Sequence, residues 1–239
     1  MIHAGGEQSQ RGVALLLHER TARSVTKIDR CSDRILRVKM QTKLINITIV
    51  QVYMPTSAAD DEEIDTIYDH LEGMLDEEKG TEYVVLMGDW NAVVGEGRDS
   101  EYVGMYGLGK RNERGQKLVD FFKRQQLLVT NTWFKQEKRR IYTWKQPGNL
   151  ARYQLEYILV SIRYRNSVKS AYAYPGADAD TDHNLVMMKS KVQLKQLQRK
   201  KSRRRWDREK LKCPSISQDF AEKVNEGVEE QDQKSTEEG

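Results

Sequence analysis

Hydrophobic and polar residues alternate through much of the first 53 positions. Leu36, Val38 and Met40 are separated by charged residues, and Ile45, Ile47 and Ile49 by Asn46 and Thr48. Val50-Gln51-Val52-Tyr53 carries the run to Pro55. A period of two predicts strands within 12–53, with Val13–Leu17 as a short buried one. Pro55 ends the run because it has no backbone donor. The period then changes. Ile64, Ile67, Tyr68, Leu71, Met74 and Leu75 fall at helical spacing, which predicts an amphipathic helix over 60–79 with Gly80 as its stop. Tyr83–Met87 reads as a buried strand, and 95–112 as a Gly-rich loop. A second helix is predicted over 113–126, with Leu118, Phe121 and Phe122 on its core face. Short strands follow near 127–131, 141–144, 155–161, 167–174 and 184–190. Strand, helix, strand and then several strands in succession predict a mixed α/β sandwich, not a purely parallel sheet.

The pattern fades near residue 191. Residues 1–191 are expected to form one domain, and 192–239 a basic helical segment with an acidic, disordered tail. Hydrophobic residues make up 38% of the 239 and charged residues 32%, a polar balance that fits a solvated tail. From Lys189 to Lys212 twelve Lys/Arg face Asp207 and Glu209, a net of +10. From Cys213 to Gly239 the net is −6, so residues 1–188 are neutral within the total of +4. Basicity is therefore a local property of one segment. Lys200, Lys201, Arg203, Arg204 and Arg205 are its candidate phosphate contacts. A solvated helix or a localisation signal is the competing reading.

Cys31 and Cys213 cannot make a disulfide framework, so no disulfide partner is expected, and they suit a reducing, intracellular compartment. No CxxC or His-rich cluster exists, which excludes the usual structural zinc patterns. Val13–Leu17 is too short for a signal core or a membrane span, so no membrane association is expected. The basic segment favours a nuclear over a cytoplasmic location.

Candidate chemistry sits where apolar runs end. Gly88-Asp89-Trp90-Asn91 follows a buried run, and residues two apart leave a strand on one side. Asp89 could orient or deprotonate water and Asn91 could hold developing charge. A plain Asx turn is the competing reading. Asp182-His183 offers an imidazole that titrates near neutral pH, or a solvated loop. Glu156 lies in an otherwise apolar strand, where a carboxylate should be paired or coordinated, unless it faces outward from an edge. Tyr53 could bond a phosphate oxygen, or be a half-buried strand aromatic.

Taken in order, Val52-Tyr53-Met54-Pro55, Gly88-Asp89-Trp90-Asn91, Leu155-Glu156-Tyr157-Ile158 and Thr181-Asp182-His183-Asn184 resemble the endonuclease/exonuclease/phosphatase superfamily. Arg11–Ala14, Tyr106–Gly115, Arg139–Trp144 and Pro175–Asp178 extend the likeness to the endonuclease domains of RTE/BovB-type LINE retrotransposons, over about residues 5–192. The resemblance implies a DNase I-like four-layer α/β sandwich and cleavage of DNA with Mg²⁺ or Mn²⁺. By that analogy Asp89 activates water, Asn91 orients it, and His183 acts at the phosphate, oriented by Glu156. Asp182 would lie by the metal or its waters, and Tyr53 on the phosphate.

Two departures from the family are expected to weaken activity. The family's first strands carry an Asn and, in a Gln-Glu motif, a metal-ligand Glu. Here the sandwich is expected to lack them, and Glu7, in a Gly-Glu-Gln setting, does not match. Position 156 is usually Asp, and Glu adds roughly 1 Å of reach. Lost strands would also leave free sheet edges and self-association. The reading is thus an impaired DNA endonuclease-like domain. The alternative is a non-catalytic nucleic-acid-associated remnant that uses the basic segment 195–212. A phospholipid or inositol-phosphate hydrolase on the same scaffold is the third reading.

Overall fold

In the computed structural model the alternating segments pair into a six-stranded mixed sheet. The structure describes residues 1–5, 11–56, 58–78, 82–177, 181–192 and 212–237. Lys200, Lys201, Arg203, Arg204 and Arg205, like Glu7, lie outside them. The sheet contains β3 (Val25–Arg30), β4 (Ile35–Met40), β5 (Ile47–Tyr53), β6 (Tyr83–Asp89), β7 (Leu127–Val129) and β10 (Glu156–Ser161). Their spatial order is β3-β4-β5-β6-β10-β7. The β5–β6 pair is parallel, because α2 (Asp61–Asp76) carries the chain back between them.

Both faces of the sheet are used. Val50, Val52, Val84, Leu86, Tyr157 and Leu159 point to one side. There they pack on Ile64, Leu71 and Leu75 of α2 and Leu118, Phe121 and Phe122 of α3 (Glu113–Gln125). Each helix is started by its preceding polar residue. Asp60 accepts from Glu63 N–H at 2.8 Å, and Asn112 Oδ1 accepts from Gly115 N–H at 2.7 Å.

The other face is covered in two pieces. The hairpin of β1 (Ile2–Gly5) and β2 (Gly12–Leu15) places Ala4, Val13 and Leu15 on Leu36, Val38 and Met40. The pair β11 (Val168–Tyr174) and β12 (Leu185–Ser190) places Val168, Val186 and Met188 on Val85, Ile158 and Val160. Ile47, Ile49 and Met87 belong to both clusters and remain only partly buried. They sit at the centre of the sheet, where neighbours should cover them best. Among the described residues β2 and β12 each pair on one side only.

Three differences from the sequence reading have local causes. β1 and the four-residue helix α1 (Glu19–Ala22) are too short to carry a period. The strand expected at 141–144 shrinks to β8 (Trp144–Lys145), which pairs with β9 (Arg152–Tyr153) after a 3₁₀ turn at Lys138–Arg140. The tail, expected as a weak helix that fades into disorder, holds the 24-residue helix α4 (Pro214–Glu237), on which Ile216, Phe220 and Val224 repeat every fourth position. The chain divides into two compact units, Met1–Leu194 and Lys195–Gly239. No described helix is long and apolar enough to cross a membrane.

Candidate active site

Strand register builds the site. Parallel pairing sets Tyr53 beside Asp89, and antiparallel pairing sets Asp89 beside Glu156. Three strand ends therefore line up Tyr53, Asp89 and Glu156 across β5, β6 and β10, at the usual spacing of about 4.8 Å per strand. The close approach at β5–β6 depends on Gly88. Its φ is +153°, and a Cβ there would stand 1.8 Å from the Val52 carbonyl oxygen. The chain then turns sharply. Asn91 has φ +46°, a left-handed conformation that Asn tolerates better than most residues. In that turn Asn91 N–H donates to Asp89 Oδ1 at 2.9 Å, and Asn91 Nδ2 donates to the Met54 carbonyl at 2.9 Å.

His183 arrives from another direction. Its backbone bridges to Trp144, Lys145 N–H donates to the Asp182 carbonyl at 2.9 Å, and Asn184 N–H donates to the Thr143 carbonyl at 2.6 Å. These bonds staple the 181–184 loop to β8. His183 Nδ1 is hydrogen-bonded to Glu156 Oε1. Its Nε2 lies 3.7 Å from Asp182 Oδ1, and the other Asp182 oxygen accepts from the Trp144 indole N–H at 2.8 Å.

The electrostatics follow from burial and proximity. Burial, and then the neighbouring Glu156 carboxylate, push the Asp89 carboxyl up to about 6, against hydrogen bonds from Asn91. The hydrogen bond to Glu156 raises His183 above the ordinary imidazole value, although desolvation opposes it. Glu156 Oε2 is buried and has no hydrogen-bond partner among the described residues. A carboxylate oxygen left in that state calls for a cation or a donor. Asp89, Glu156 and His183 each offer a ligand atom, all within 4.8 Å of one another.

A cavity of about 420 Å³ opens over Asp89, Asn91 and His183, lined also by Tyr53, Thr56, Asn112, Trp144, Tyr153 and Leu155. A cavity of about 490 Å³ lies elsewhere, between Leu75, Glu78, Gln126 and Tyr164, away from the aligned strand ends. Asp89, Asn91, Glu156, His183 and Tyr53 thus meet in one place. Asp182 stands beside His183 but outside the close ligand group among the described residues.

Several contributors carry no chemical label in sequence. The buried Thr143 hydroxyl accepts from Leu155 N–H at 2.8 Å and Glu156 N–H at 3.2 Å. Asn131 donates to the Glu156 carbonyl at 3.0 Å and accepts from Ile158 N–H at 3.3 Å. Trp144 holds Asp182. A polar residue buried beside a strand start was the available signal for the first two.

No protein-family model matches the chain. Over 196 residues it is 38% identical to Craniofacial development protein 2 of Bos taurus, covering 81% of this chain and 33% of that protein. Over 196 residues it is 37% identical to Craniofacial development protein 2 of Tragulus javanicus, covering 81% and 34%. The chain therefore spans about a third of the length of the curated relatives it matches. Among solved structures it is similar to the endonuclease domain of TRAS1, a telomere-specific non-LTR retrotransposon. That match has a TM-score of 0.53 at 12% identity, over 71% of this chain and 70% of that one. A 3'-5' exonuclease (NExo) from Neisseria meningitidis follows at a TM-score of 0.49 and 16% identity, over 69% and 67%.

Proposed function

For a chain with a DNase I-like fold and homology over 196 residues to Craniofacial development protein 2, we propose a retrotransposon-derived endonuclease-like function, the metal-dependent hydrolysis of DNA phosphodiesters. The observation that carries this reading is the meeting of Asp89, Glu156 and His183 at three element ends, with one buried Glu156 oxygen unpartnered. Two carboxylates and an imidazole suit Mn²⁺ and accept Mg²⁺. Glu156 would hold the ion through its unpartnered oxygen, with Asp182 beside it, which leaves Asp89 to act on water. A divalent ion there would neutralise charge on the phosphate and the leaving oxygen.

The chain's own residues divide the remaining work. Asp89, with a carboxyl near 6, takes a proton from the attacking water and is mostly ionised at neutral pH. Asn91, fixed by its bonds to Asp89 and Met54, orients that water. His183, its basicity raised by Glu156, donates to a phosphate oxygen. Tyr53 closes the wall against the phosphate. Among the described residues the close ligand group stops at three, so the ion binds weakly and turnover is slow. The Glu156 side chain must serve His183 and the ion at once, which adds to the impairment.

A second reading rests on the net +10 of Lys189–Lys212. In it the chain binds nucleic acid through the basic segment, is directed to the nucleus and does no chemistry. Titration of the protein with Mn²⁺, followed by electron paramagnetic resonance, separates the two. Stoichiometric binding that Glu156→Gln abolishes supports the metal site, whereas no binding by the folded protein removes it.

A further inference from the structure

The row of strand ends that forms the candidate site continues one strand beyond Tyr53. Antiparallel pairing sets Ile35 of β4 opposite Val52 of β5, so Arg34 falls opposite Tyr53. The main chains close that pair, with Tyr53 N–H donating to the Arg34 carbonyl at 2.9 Å. Arg34, Tyr53, Asp89 and Glu156 thus stand side by side at the ends of β4, β5, β6 and β10. Only 8% of Arg34 is exposed, far less than is usual for an arginine.

The buried guanidinium meets Tyr53 twice. Its central carbon lies over the phenol ring, 5.2 Å from the ring centre, and Nη1 donates to the Tyr53 carbonyl at 3.3 Å. Nη2 lies 3.2 Å from Glu63 Oε1 in the first turn of α2. Nε is buried without a hydrogen-bond partner among the described residues. A buried donor left unpaired costs free energy, so hydrogen bonding alone does not account for this placement. What the side chain gains is the ring, because a guanidinium held over an aromatic face is attracted to it and restricts it. The main chain on either side of the ring has other supports. Met54 N–H donates to the Asp89 carbonyl at 2.8 Å, and Arg114 donates to the Pro55 and Ala59 carbonyls at 2.8 and 3.0 Å. Loss of the Arg34 guanidinium should therefore release the Tyr53 ring and leave the loop in place.

Resting on the nuclease reading above, we propose that Arg34 is a positioning residue of the same site, which holds the Tyr53 ring so that its hydroxyl meets the phosphate. Glu63 in turn holds Arg34, and ties the start of α2 to the site. Arg34 touches neither phosphate nor water in this scheme. Its whole effect passes through Tyr53, which lines the cavity.

The test is ¹⁹F NMR of the full chain labelled with 3-fluorotyrosine, in EDTA, with the Tyr53 line assigned by its loss in Tyr53→Phe. In Arg34→Gln that line should move toward its position in the urea-unfolded chain, while the lines of the other tyrosines stay. Should Arg34→Gln fail to fold, Glu63→Gln, which only releases the guanidinium, should move the same line in the same direction. An unchanged Tyr53 line in a folded variant overturns the proposal. Plasmid nicking supplies the second readout. Arg34→Gln should lower kcat by about tenfold with KM little changed, and should add nothing to the loss in Tyr53→Phe, where no hydroxyl remains to be placed. A further loss of the same size in Tyr53→Phe also overturns the proposal, because Arg34 would then act by another route. The NMR line is read without metal or turnover. A protein whose Tyr53 line moves but which never nicks DNA therefore sinks the nuclease reading and leaves the hold of Arg34 on Tyr53 standing.

Discussion

Replacing Asp89 by Asn should stabilise the protein while removing its chemistry. Asp89 is mostly buried beside Glu156, and its carboxyl is raised from an ordinary 3.8 to about 6. The folded state therefore holds a proton that the unfolded chain has already lost across that window. Folding stability falls as pH climbs from about 4 to about 6, and the full cost of burying the anion persists above that. At 1.36 kcal/mol per pH unit the interval corresponds to about 3 kcal/mol. An amide at 89 keeps an oxygen for the Asn91 N–H bond and carries no charge. In a domain of this size each kcal/mol moves the melting temperature by roughly 2–4 °C. Asp89→Asn in EDTA at pH 7.5 should thus melt about 6–12 °C above the parent protein. At pH 4, where the parent carboxyl is protonated, the gain should vanish. His183 contributes in the same pH direction, because its raised value adds stability that is lost as pH rises through it. Its main cause is Glu156, which this substitution leaves in place, while Asp89 is a smaller cause, so the difference between the two proteins reports Asp89 together with its pull on His183. Thermal melts by circular dichroism at the two pH values suffice. An equal gain at both, or none at pH 7.5, would refute the burial argument.

Other substitutions probe the scaffold. Gly88→Ala should cost several kcal/mol, about 3 or more, because the β5–β6 pairing must open to relieve a 1.8 Å approach to the Val52 oxygen. Urea denaturation reads the loss directly, and a normal midpoint would show that the approach relaxes easily. The partly covered Ile47, Ile49 and Met87 on the sheet, and the exposed Leu185 and Met187 on the outward side of β12, should drive self-association. Light scattering should find dimers or larger species at micromolar protein that Met187→Lys reduces; a monodisperse parent monomer would contradict it.

Much of this structure was legible because period and chemistry coincide. The alternation through Tyr53, the apolar run before Asp89 and the strand around Glu156 each end in a polar residue. Pairing then had to bring those ends together, as the registers Tyr53–Asp89 and Asp89–Glu156 do. Motif order carried the fold class, since each motif marks a particular strand end. What escaped has little local periodicity. Two-residue strands such as β8 and β9 exist through the bonds of Thr143 and Trp144 to distant partners, not through their own pattern. The roles of Thr143, Asn131 and Trp144 are hydrogen bonds across 12 to 38 residues of sequence, which no local window reveals. The weak helix expected in the tail runs longer, over Pro214–Glu237, because its apolar positions keep a four-residue spacing among acidic residues that resemble a solvated tail.

The most direct test of the central claim is nicking of supercoiled plasmid by the purified protein in Mg²⁺ or Mn²⁺, with EDTA, His183→Ala and Asp89→Asn as controls. The account predicts slow nicking that EDTA abolishes and that each substitution lowers by about 10²-fold or more. Nicking that persists in EDTA, or that His183→Ala leaves untouched, would contradict the proposed site. No nicking from a folded sample would contradict the enzyme and leave a nucleic-acid-binding remnant of the fold.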